Sequence, residues 1–326
     1  MTARDGRRGG YRPPPWLRGA HLQTIWPAKL APKPAVRYAR ERWETPDGDF
    51  IEVDLLEAGA GHDAQPFVVM FHGLEGDSDS HYARSLMAAL RARGWRGAIA
   101  HFRGCGGEPN RLPRAYHSGD SDEIDWILRR FAAGPARGAP LHAVGVSLGG
   151  NALLKWLGER GESAAFVRSA AAVSPPQDLA AGAQALARGF NRFYTANFLV
   201  TLKRKSLAQL ERHPGLFDRE RVLAARDFFD FDDAVTAPLH GFAGAHDYWQ
   251  RASCKPFLRG IRVPTAIVHA LNDPFLPARV LAGPAEVSAS VRLDYLPEGG
   301  HVGFATGALP GRLDWLPARI LEHLDG

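Results

Sequence analysis

The sequence contains little cysteine and no long apolar run, and each absence argues against a class of protein. Its two cysteines among 326 residues, Cys105 and Cys254, stand far apart and outside any CxxC pair. This spacing disfavours a disulfide framework or zinc knuckle and is typical of a reducing compartment, so we expect a cytoplasmic protein. The longest apolar runs, such as residues 67–71, cover a handful of positions, whereas a membrane-spanning helix needs about 20. Basic residues open the chain without an apolar stretch behind them, so we expect neither a secretory signal peptide nor a transmembrane segment.

Signatures of nucleotide and nucleic-acid binding are also missing. The phosphate-loop pattern GxxxxGK[ST] does not occur, and neither does an RNP motif or a zinc finger. With 45% hydrophobic and 23% charged residues, the composition is that of a globular protein. It excludes a disordered chain, a collagen-like repeat and a coiled coil.

The net charge of +5 is unevenly distributed along the chain. The first 42 residues hold eight Arg and two Lys against Asp5 and Glu41, a net of +8, which leaves −3 for the remainder. We therefore expect a flexible basic N-terminal arm over residues 1–17, followed by one domain over residues 18–326. Such an arm could make weak contact with an anionic membrane surface, although a solubilising tail explains the same composition, and no specific nucleic-acid contact is expected.

From residue 36 onward the pattern predicts a β-hairpin and then alternating strands and helices. The extended runs 36–45 and 50–56 are separated by Pro-Asp-Gly-Asp, a turn typical of a hairpin. Buried strands are predicted at 66–71, 97–102, 141–146, 167–173, 264–270 and 291–296, with amphipathic helices at 80–93, 120–131, 148–159 and 313–324. This alternation favours a mostly parallel sheet with helices on both faces. Residues 177–258 interrupt it with a helical, aromatic-rich stretch, which predicts a cap inserted between two strands.

A GxSxG pattern is the sharpest local feature of the chain. It spans residues 145–149, with Ser147 at its centre, and joins the predicted strand 141–146 to the predicted helix 148–159. A serine on such a turn takes a strained conformation clear of the sheet, which requires small neighbours. This context favours a nucleophilic serine over the alternative, a glycine turn with a helix-capping serine.

A nucleophilic serine needs a base, and the base needs an acid that orients it. In this type of sheet both residues come after the serine in the sequence, and the acid precedes the histidine. His301 lies in the glycine-rich segment after the last predicted strand and is the candidate base. Asp273, in the turn after strand 264–270, is the candidate acid, although an Asx-turn role explains it as well. Asp247 precedes that strand and Asp294 lies inside the last one, so both are weaker candidates.

Two backbone N–H groups are candidates for stabilising the oxyanion of a tetrahedral intermediate. One belongs to Leu148, directly after the serine, and the other to Leu74, in the loop after the first predicted parallel strand. His72, in the same loop, is expected to brace it through hydrogen bonds. Cys105 is a rival nucleophile, but nothing in the sequence supplies it with a base.

Six motifs, in this order along the chain, resemble one family. They are HLQTIWP (21–27), HGLEGDSDSHY (72–82), FRGCGGEPNR (102–111), GVSLGGNALLKWLGE (145–159), LNDPFLP (271–277) and GGHVGF (299–304). The set resembles the YheT-type α/β-hydrolases, bacterial relatives of the eukaryotic α/β-hydrolase-domain esterases and lipases, over nearly the whole chain from about residue 12. The resemblance implies the α/β-hydrolase fold, an esterase-like activity and a triad that maps onto Ser147, Asp273 and His301. Many relatives carry two consecutive aspartates where this sequence has Asn272 and Asp273.

Together these features predict a serine hydrolase that cleaves carboxylic esters through an acyl-enzyme intermediate, without a metal or an organic cofactor. The aromatic cap favours a small-molecule ester with an apolar or lipid-like acyl group. A thioesterase, an amidase or an acyltransferase would use the same three residues. A non-catalytic binding protein on a hydrolase scaffold is the remaining alternative.

Overall fold

A computed structural model describes residues 10–57 and 64–325 of the chain. Its centre is an eight-stranded sheet in the order β1-β2-β4-β3-β5-β6-β7-β8. The strands are β1 Tyr38–Glu44, β2 Phe50–Leu56, β3 Phe67–Phe71, β4 Arg96–Ala100, β5 Leu141–Val146, β6 Ser169–Val173, β7 Thr265–Ala270 and β8 Val291–Leu296. The hairpin β1-β2 pairs antiparallel with itself and with β4, and all other pairs are parallel. The mostly parallel α/β sheet predicted from the sequence is therefore confirmed.

Helices cover both faces of the sheet. They are α1 Ala20–Lys29, α2 His81–Ala92, α3 Ser121–Ala133, α4 Leu148–Arg160, α5 Leu179–Leu186, α6 Asn191–Arg212, α7 Arg219–Ala224, α8 Phe228–Phe231, α9 Ala237–His240, α10 Ala245–Ala252 and α11 Trp315–Leu324. Along β3, Phe67, Val69 and Phe71 pack toward α3 and α4, whereas Val68 and Met70 pack toward α2 and α11. This alternation follows from the two-residue period of a strand, and it explains why β3 is apolar throughout. No helix of the described residues is long and apolar enough to cross a membrane.

Six helices, α5 to α10, lie between β6 and β7, and residues 179–252 are called the helical segment below. A π-helical turn, Asp232–Thr236, links α8 to α9, and a 3₁₀ turn, Lys255–Gly260, leads back toward the sheet. The segment has two small apolar clusters of its own, one around Leu199, Val222 and Phe231 and one around Tyr248 and Trp249. It therefore packs as a layer distinct from the two sheet faces.

The structure differs from the predicted N-terminal arm at residues 10–17. Tyr11 and Leu17 are buried, and the Tyr11 hydroxyl donates to the carbonyl of Ala305 over 2.9 Å. The ring of Tyr11 also lies edge-on to Phe304. The predicted boundary between arm and domain at residue 17 is therefore too late. The Gly/Arg/Pro-rich composition predicts a flexible arm, but two apolar residues within it pack on the domain. The rest of the predicted arm, residues 1–9, lies outside the described residues.

Candidate active site

Ser147 lies on the tight turn between β5 and α4. Its backbone has φ 51° and ψ −119°, a conformation that residues with a side chain rarely adopt. The turn needs glycine on both sides, because a Cβ on Gly145 would lie 2.5 Å from the Gly149 carbonyl oxygen. A Cβ on Gly149 would lie equally close to the carbonyl oxygen of His72. These close approaches hold the turn against β3 and leave Ser147 half-buried at the carboxyl edge of the sheet.

The structure brings Ser147, His301 and Asp273 into one hydrogen-bonded chain. The Ser147 Oγ hydroxyl donates to His301 Nε2 over 3.0 Å, and His301 Nδ1 donates to Asp273 Oδ2 over 2.8 Å. Both partners come from loops at the same edge of the sheet, Asp273 after β7 and His301 after β8. In this arrangement the imidazole can accept the hydroxyl proton while the carboxylate fixes the ring.

Asp273 is a buried carboxylate that remains charged. Burial raises the pKa of Asp273, but the neighbouring His301 lowers it through charge and hydrogen bonding, and the net effect is a pKa below the usual value. The backbone N–H of Phe275 also donates to Asp273 Oδ1 over 2.8 Å. His269 Nε2 lies 3.5 Å from Oδ2 on the other side, but burial lowers the pKa of His269 to about 4, so this ring is neutral.

The alternative acids considered from the sequence are engaged elsewhere. Asp294 on β8 accepts from Arg319 Nε over 2.6 Å, a contact between the sheet and α11. Asp247 forms an ion pair with Arg251 one turn later on α10, at 3.2 Å. Both carboxylates therefore stabilise local structure, and only Asp273 among the three lies against His301.

The predicted oxyanion donors belong to residues that adjoin the serine turn: Leu148 follows Ser147 in the chain, and Leu74 follows Gly73 in the loop after β3. The loop after β3 approaches so closely that a Cβ on Gly73 would be 3.2 Å from the Cβ of Ser147. The N–H of Gly73 donates to the Tyr82 hydroxyl, and the N–H of Glu75 donates to the Tyr116 hydroxyl, each over 2.9 Å. Within the described residues, neither the N–H of Leu74 nor that of Leu148 has an acceptor. Two donors thus remain free to bind a negatively charged oxygen.

His72 braces this loop, as the sequence predicts. Its Nδ1 donates to the Gly73 carbonyl over 2.7 Å, and its Nε2 accepts from the backbone N–H of Phe102 over 3.0 Å. Burial lowers the pKa of His72 to about 3, so the ring is neutral. Both ring nitrogens are used, and His72 ties the loop after β3 to the loop after β4.

Two residues of α1, which the sequence patterns did not indicate, hold the loops of Asp273 and His301 together. The buried Gln23 Oε1 accepts from Asn272 Nδ2 over 2.8 Å and from the N–H of Gly299 over 3.0 Å. Thr24 Oγ1 accepts from the N–H of His301 over 2.9 Å. Both belong to the HLQTIWP motif, which is the feature of the sequence that could have indicated their role.

Another group of side chains, missed from the sequence, joins the helical segment to the oxyanion loop. Lys205 on α6 lies 2.9 Å from Glu75 Oε2 and 3.5 Å from Cys105 Sγ. The Tyr116 hydroxyl donates to Glu75 Oε1 over 2.8 Å. We call Glu75, Cys105, Tyr116 and Lys205 the Glu75 cluster. Burial raises the pKa of Cys105 to about 12, so its thiol stays protonated and is a poor nucleophile.

An aromatic wall lies beside the histidine. The ring of Phe275 stacks on His301 at 4.2 Å, and Tyr194 and Phe198 of α6 contact Phe275 at 4.8 and 6.2 Å. The sequence predicted an aromatic cap but not which rings reach the site. Within the described ranges, no three His, Cys, Asp or Glu side chains are placed to hold a metal ion.

Comparison with known sequences places the chain among hydrolases. The model of the family described as α/β hydrolase fold matches residues 66–308. The candidate esterase YheT of Escherichia coli is 39% identical over 306 residues, which cover 93% of this chain and 89% of that protein. Human phospholipase ABHD3 is 27% identical over 92% of this chain and 75% of its own length.

Solved structures share the fold at low identity. The esterase Pf2001 of Pyrococcus furiosus superimposes with a TM-score of 0.54 at 15% identity, covering 89% of this chain and 92% of that one. Est1E of Butyrivibrio proteoclasticus, solved with ferulic acid, gives 0.56 at 15% identity, covering 88% and 100%. Likeness at this level of identity concerns the fold alone.

The family match covers most of the sheet and both loops that carry Asp273 and His301. The relative at 39% identity extends the similarity over nearly the whole chain, as the six sequence motifs predict. The observed sheet order and the serine turn after β5 agree with both findings. The chain belongs to the α/β-hydrolase family, within its YheT-type group of esterase-like enzymes.

Proposed function

We propose that this protein is a carboxylic ester hydrolase that uses Ser147 as nucleophile, His301 as general base and acid, and Asp273 as the orienting carboxylate. The observation that carries the proposal is the continuous hydrogen-bonded chain from Ser147 Oγ through His301 to Asp273 at the carboxyl edge of the sheet. The half-buried serine and the two free N–H groups beside it support the same reading.

In the acylation half-reaction, Ser147 Oγ attacks the ester carbonyl carbon and His301 Nε2 takes the hydroxyl proton. The carbonyl oxygen becomes an oxyanion and accepts hydrogen bonds from the N–H groups of Leu74 and Leu148. The C–O bond then breaks, and His301 gives its proton to the leaving alcohol. Asp273 stabilises the imidazolium throughout.

In the second half-reaction water replaces the alcohol. His301 Nε2 takes a proton from the water as its oxygen attacks the acyl carbon, and the same two N–H groups hold the second oxyanion. Collapse releases the carboxylic acid and returns the proton to Ser147 Oγ. The aromatic wall of Tyr194, Phe198 and Phe275 supports an apolar or lipid-like acyl group, because these rings offer it an apolar surface beside His301.

Labelling with a fluorophosphonate probe, together with hydrolysis of p-nitrophenyl esters of increasing chain length, tests this proposal. Ser147→Ala should lose the label and lower kcat by about 10⁵-fold or more. The matched control is Ser163→Ala, an exposed serine beyond the end of α4, which should label and turn over as the wild type does. A folded wild type that does not label would favour the non-catalytic binding scaffold instead.

The same residues serve other acyl transfers, so the leaving group needs its own test. Oxygen esters, thioesters and anilides with one shared acyl group would be compared through kcat/KM. The proposal expects the oxygen ester to be the best substrate of the three. A thioester or anilide preferred by more than about tenfold would reassign the enzyme as a thioesterase or amidase.

We also propose a single hydrolase domain that begins at the packed residues 10–17, with residues 177–258 as its cap, in a cytoplasmic protein. Two free cysteines, one of them fully buried at Cys254, support a reducing compartment. Cell fractionation tests the location. Limited proteolysis tests the cap, since cleavage within residues 177–258 should precede cleavage of the sheet.

A further inference from the structure

The turn and helix that carry the aromatic wall have an unusual charge pattern. Residues 187–212 contain six basic residues and a single acidic one, Glu211 at the end of α6. Three of the six have clear roles. Lys203 donates to the carbonyl of Leu223, Lys205 pairs with Glu75, and Arg212 donates to the carbonyl of Asn110. The other three are Arg188, Arg192 and Arg204, which are exposed and have no side-chain partner among the described residues.

The outward side of α6 exposes three large apolar side chains, with the polar Asn197 between them. Phe190 is 52% exposed, Phe193 65% and Val200 69%. Their spacing of three and seven residues puts them on one stripe, with Arg204 continuing it one turn later. The opposite side of α6 faces the protein through Thr195, Leu199, Ser206 and Gln209, which are buried. We call six exposed residues the outer face of α6: the stripe Phe190, Phe193, Val200 and Arg204, together with Arg188 in the preceding turn and Arg192 in the first helical turn.

Ring contacts connect the outer face of α6 to the candidate active site. Phe190 lies 5.8 Å from Tyr194, Tyr194 lies 4.8 Å from Phe275, and Phe275 stacks on His301 at 4.2 Å. Phe190 also lies 4.4 Å from His21 on α1. The exposed apolar surface is therefore continuous with the aromatic wall beside the histidine.

We propose that the outer face of α6 binds the surface of a bilayer that contains anionic phospholipid. Exposed phenylalanine and valine gain free energy by entering the boundary between headgroups and acyl chains, and unpaired arginines are attracted to anionic headgroups. A second copy of this chain fits less well, because a two-fold contact through this face would oppose arginine with arginine. The binding requires no chemistry at Ser147, and where the proposed function holds it places the aromatic wall next to lipid-like esters.

Flotation of the whole protein with phospholipid vesicles tests the proposal, and Ser147→Ala serves as the parent so that no lipid is hydrolysed. Vesicles of phosphatidylcholine alone would be compared with vesicles that contain about one third phosphatidylglycerol, at low and high salt. Binding should be stronger on the anionic vesicles by about tenfold or more, and it should weaken as salt rises.

Two variants separate the apolar and charged contributions. Phe193→Ser with Val200→Ser removes exposed apolar surface, and it should weaken binding about tenfold. Its control is Leu309→Ser, which alters an equally exposed apolar residue elsewhere. Both should keep the circular dichroism spectrum of the parent.

The charge variant combines Arg188→Gln, Arg192→Gln and Arg204→Gln. It should weaken binding to anionic vesicles about tenfold or more and remove most of the salt dependence. The matched control removes three exposed arginines outside the helical segment, Arg37, Arg137 and Arg168, and should bind as the parent does. Equal loss in variant and control would overturn the proposal, since net charge alone would then explain binding.

Deletion of residues 2–9 distinguishes the outer face of α6 from the basic N-terminus. The proposal expects the deleted protein to keep most of its binding. If the deletion abolishes binding while the α6 variants bind normally, the N-terminal residues carry it and the proposal is wrong. Absent vesicle binding, with self-association that Phe193→Ser and Val200→Ser remove, would show an interface between copies and would also overturn it.

Discussion

The carboxyl edge of the sheet and the helical segment meet at the candidate site, but different contacts hold them. At the sheet edge, backbone lies against backbone, as where Gly149 approaches the carbonyl oxygen of His72. Beside the candidate site, the helical segment instead reaches the body through side chains, both the aromatic rings that contact Phe275 and individual polar groups. Asn191 donates to the Pro274 carbonyl over 2.6 Å, and Lys205 pairs with Glu75.

This difference separates two tasks. Close backbone packing fixes reacting atoms to within fractions of an ångström, which the proposed proton transfers require. Side-chain contacts from a layer with its own small apolar clusters hold the helical segment without fixing the backbone around Ser147. We therefore expect changes at the sheet edge to abolish chemistry and changes at the helical segment to alter its efficiency.

Replacing the buried carboxylate should produce the largest effect. Asp273→Asn keeps the shape of the side chain but removes the charge that stabilises the His301 imidazolium and fixes its tautomer, so kcat should fall about 10⁴-fold. The control is Asp247→Asn on α10, which alters the rival acid and should leave ester hydrolysis unchanged. Steady-state kinetics on one p-nitrophenyl ester measure kcat for both variants. An equal loss of kcat in the two would contradict the proposed difference between the two regions.

Two buried aspartates, one in the helical segment and one inside a strand of the sheet, should respond to pH in opposite directions. Burial raises the pKa of Asp232, in the helical segment, to about 6, although Thr236 and Trp249 donate hydrogen bonds to it. Burial also acts to raise the pKa of Asp294 on β8, but hydrogen bonds from His323 and Arg319 lower it well below its usual range. Protonation therefore stabilises the fold at Asp232 and destabilises it at Asp294.

The Asp232 effect develops as the pH falls from about 6 to about 4, between its folded and unfolded pKa values. Wild type should gain about 2 kcal/mol in unfolding free energy over Asp232→Asn between pH 7 and pH 4.5. Denaturant unfolding of both proteins at several pH values measures this difference. If the difference in unfolding free energy stays constant across this pH range, the pKa of Asp232 is unshifted and its carboxyl group is hydrated.

The smallest effect is expected at the Glu75 cluster. Lys205→Met keeps the length of the side chain but leaves Glu75 without its cation, next to the Leu74 N–H that the proposed mechanism uses. We expect kcat to fall about tenfold with KM nearly unchanged, because the oxyanion contact forms only in the transition state. Lys203→Met, on the same helix but bonded to the Leu223 carbonyl, is the control. A change confined to KM would instead assign Lys205 to substrate binding.

Sequence patterns located the sheet and its edge well. Each strand and helix predicted outside residues 177–258 is present, with ends within two residues, because apolar periodicity and glycine turns act locally. The same local patterns predicted that Ser147, Asp273 and His301 lie on loops after strands, and the fold brings these loops together. It could not find Gln23 or Lys205, since a buried glutamine and a paired lysine are defined by partners far away in the chain. Nor could it find the buried Tyr11 within a basic, glycine-rich stretch.

The amide of Gln23 has a consequence for the timing of synthesis. Its partners, Asn272 and Gly299, follow it by 249 and 276 residues. A ribosome therefore completes the helix that carries Gln23 well before the loop that carries His301, and the two must dock for the loops to align. A nascent or prematurely terminated chain can hold the serine turn intact and still be unable to hydrolyse an ester. On the proposed mechanism, competence requires that this helix meet a loop synthesised 276 residues later.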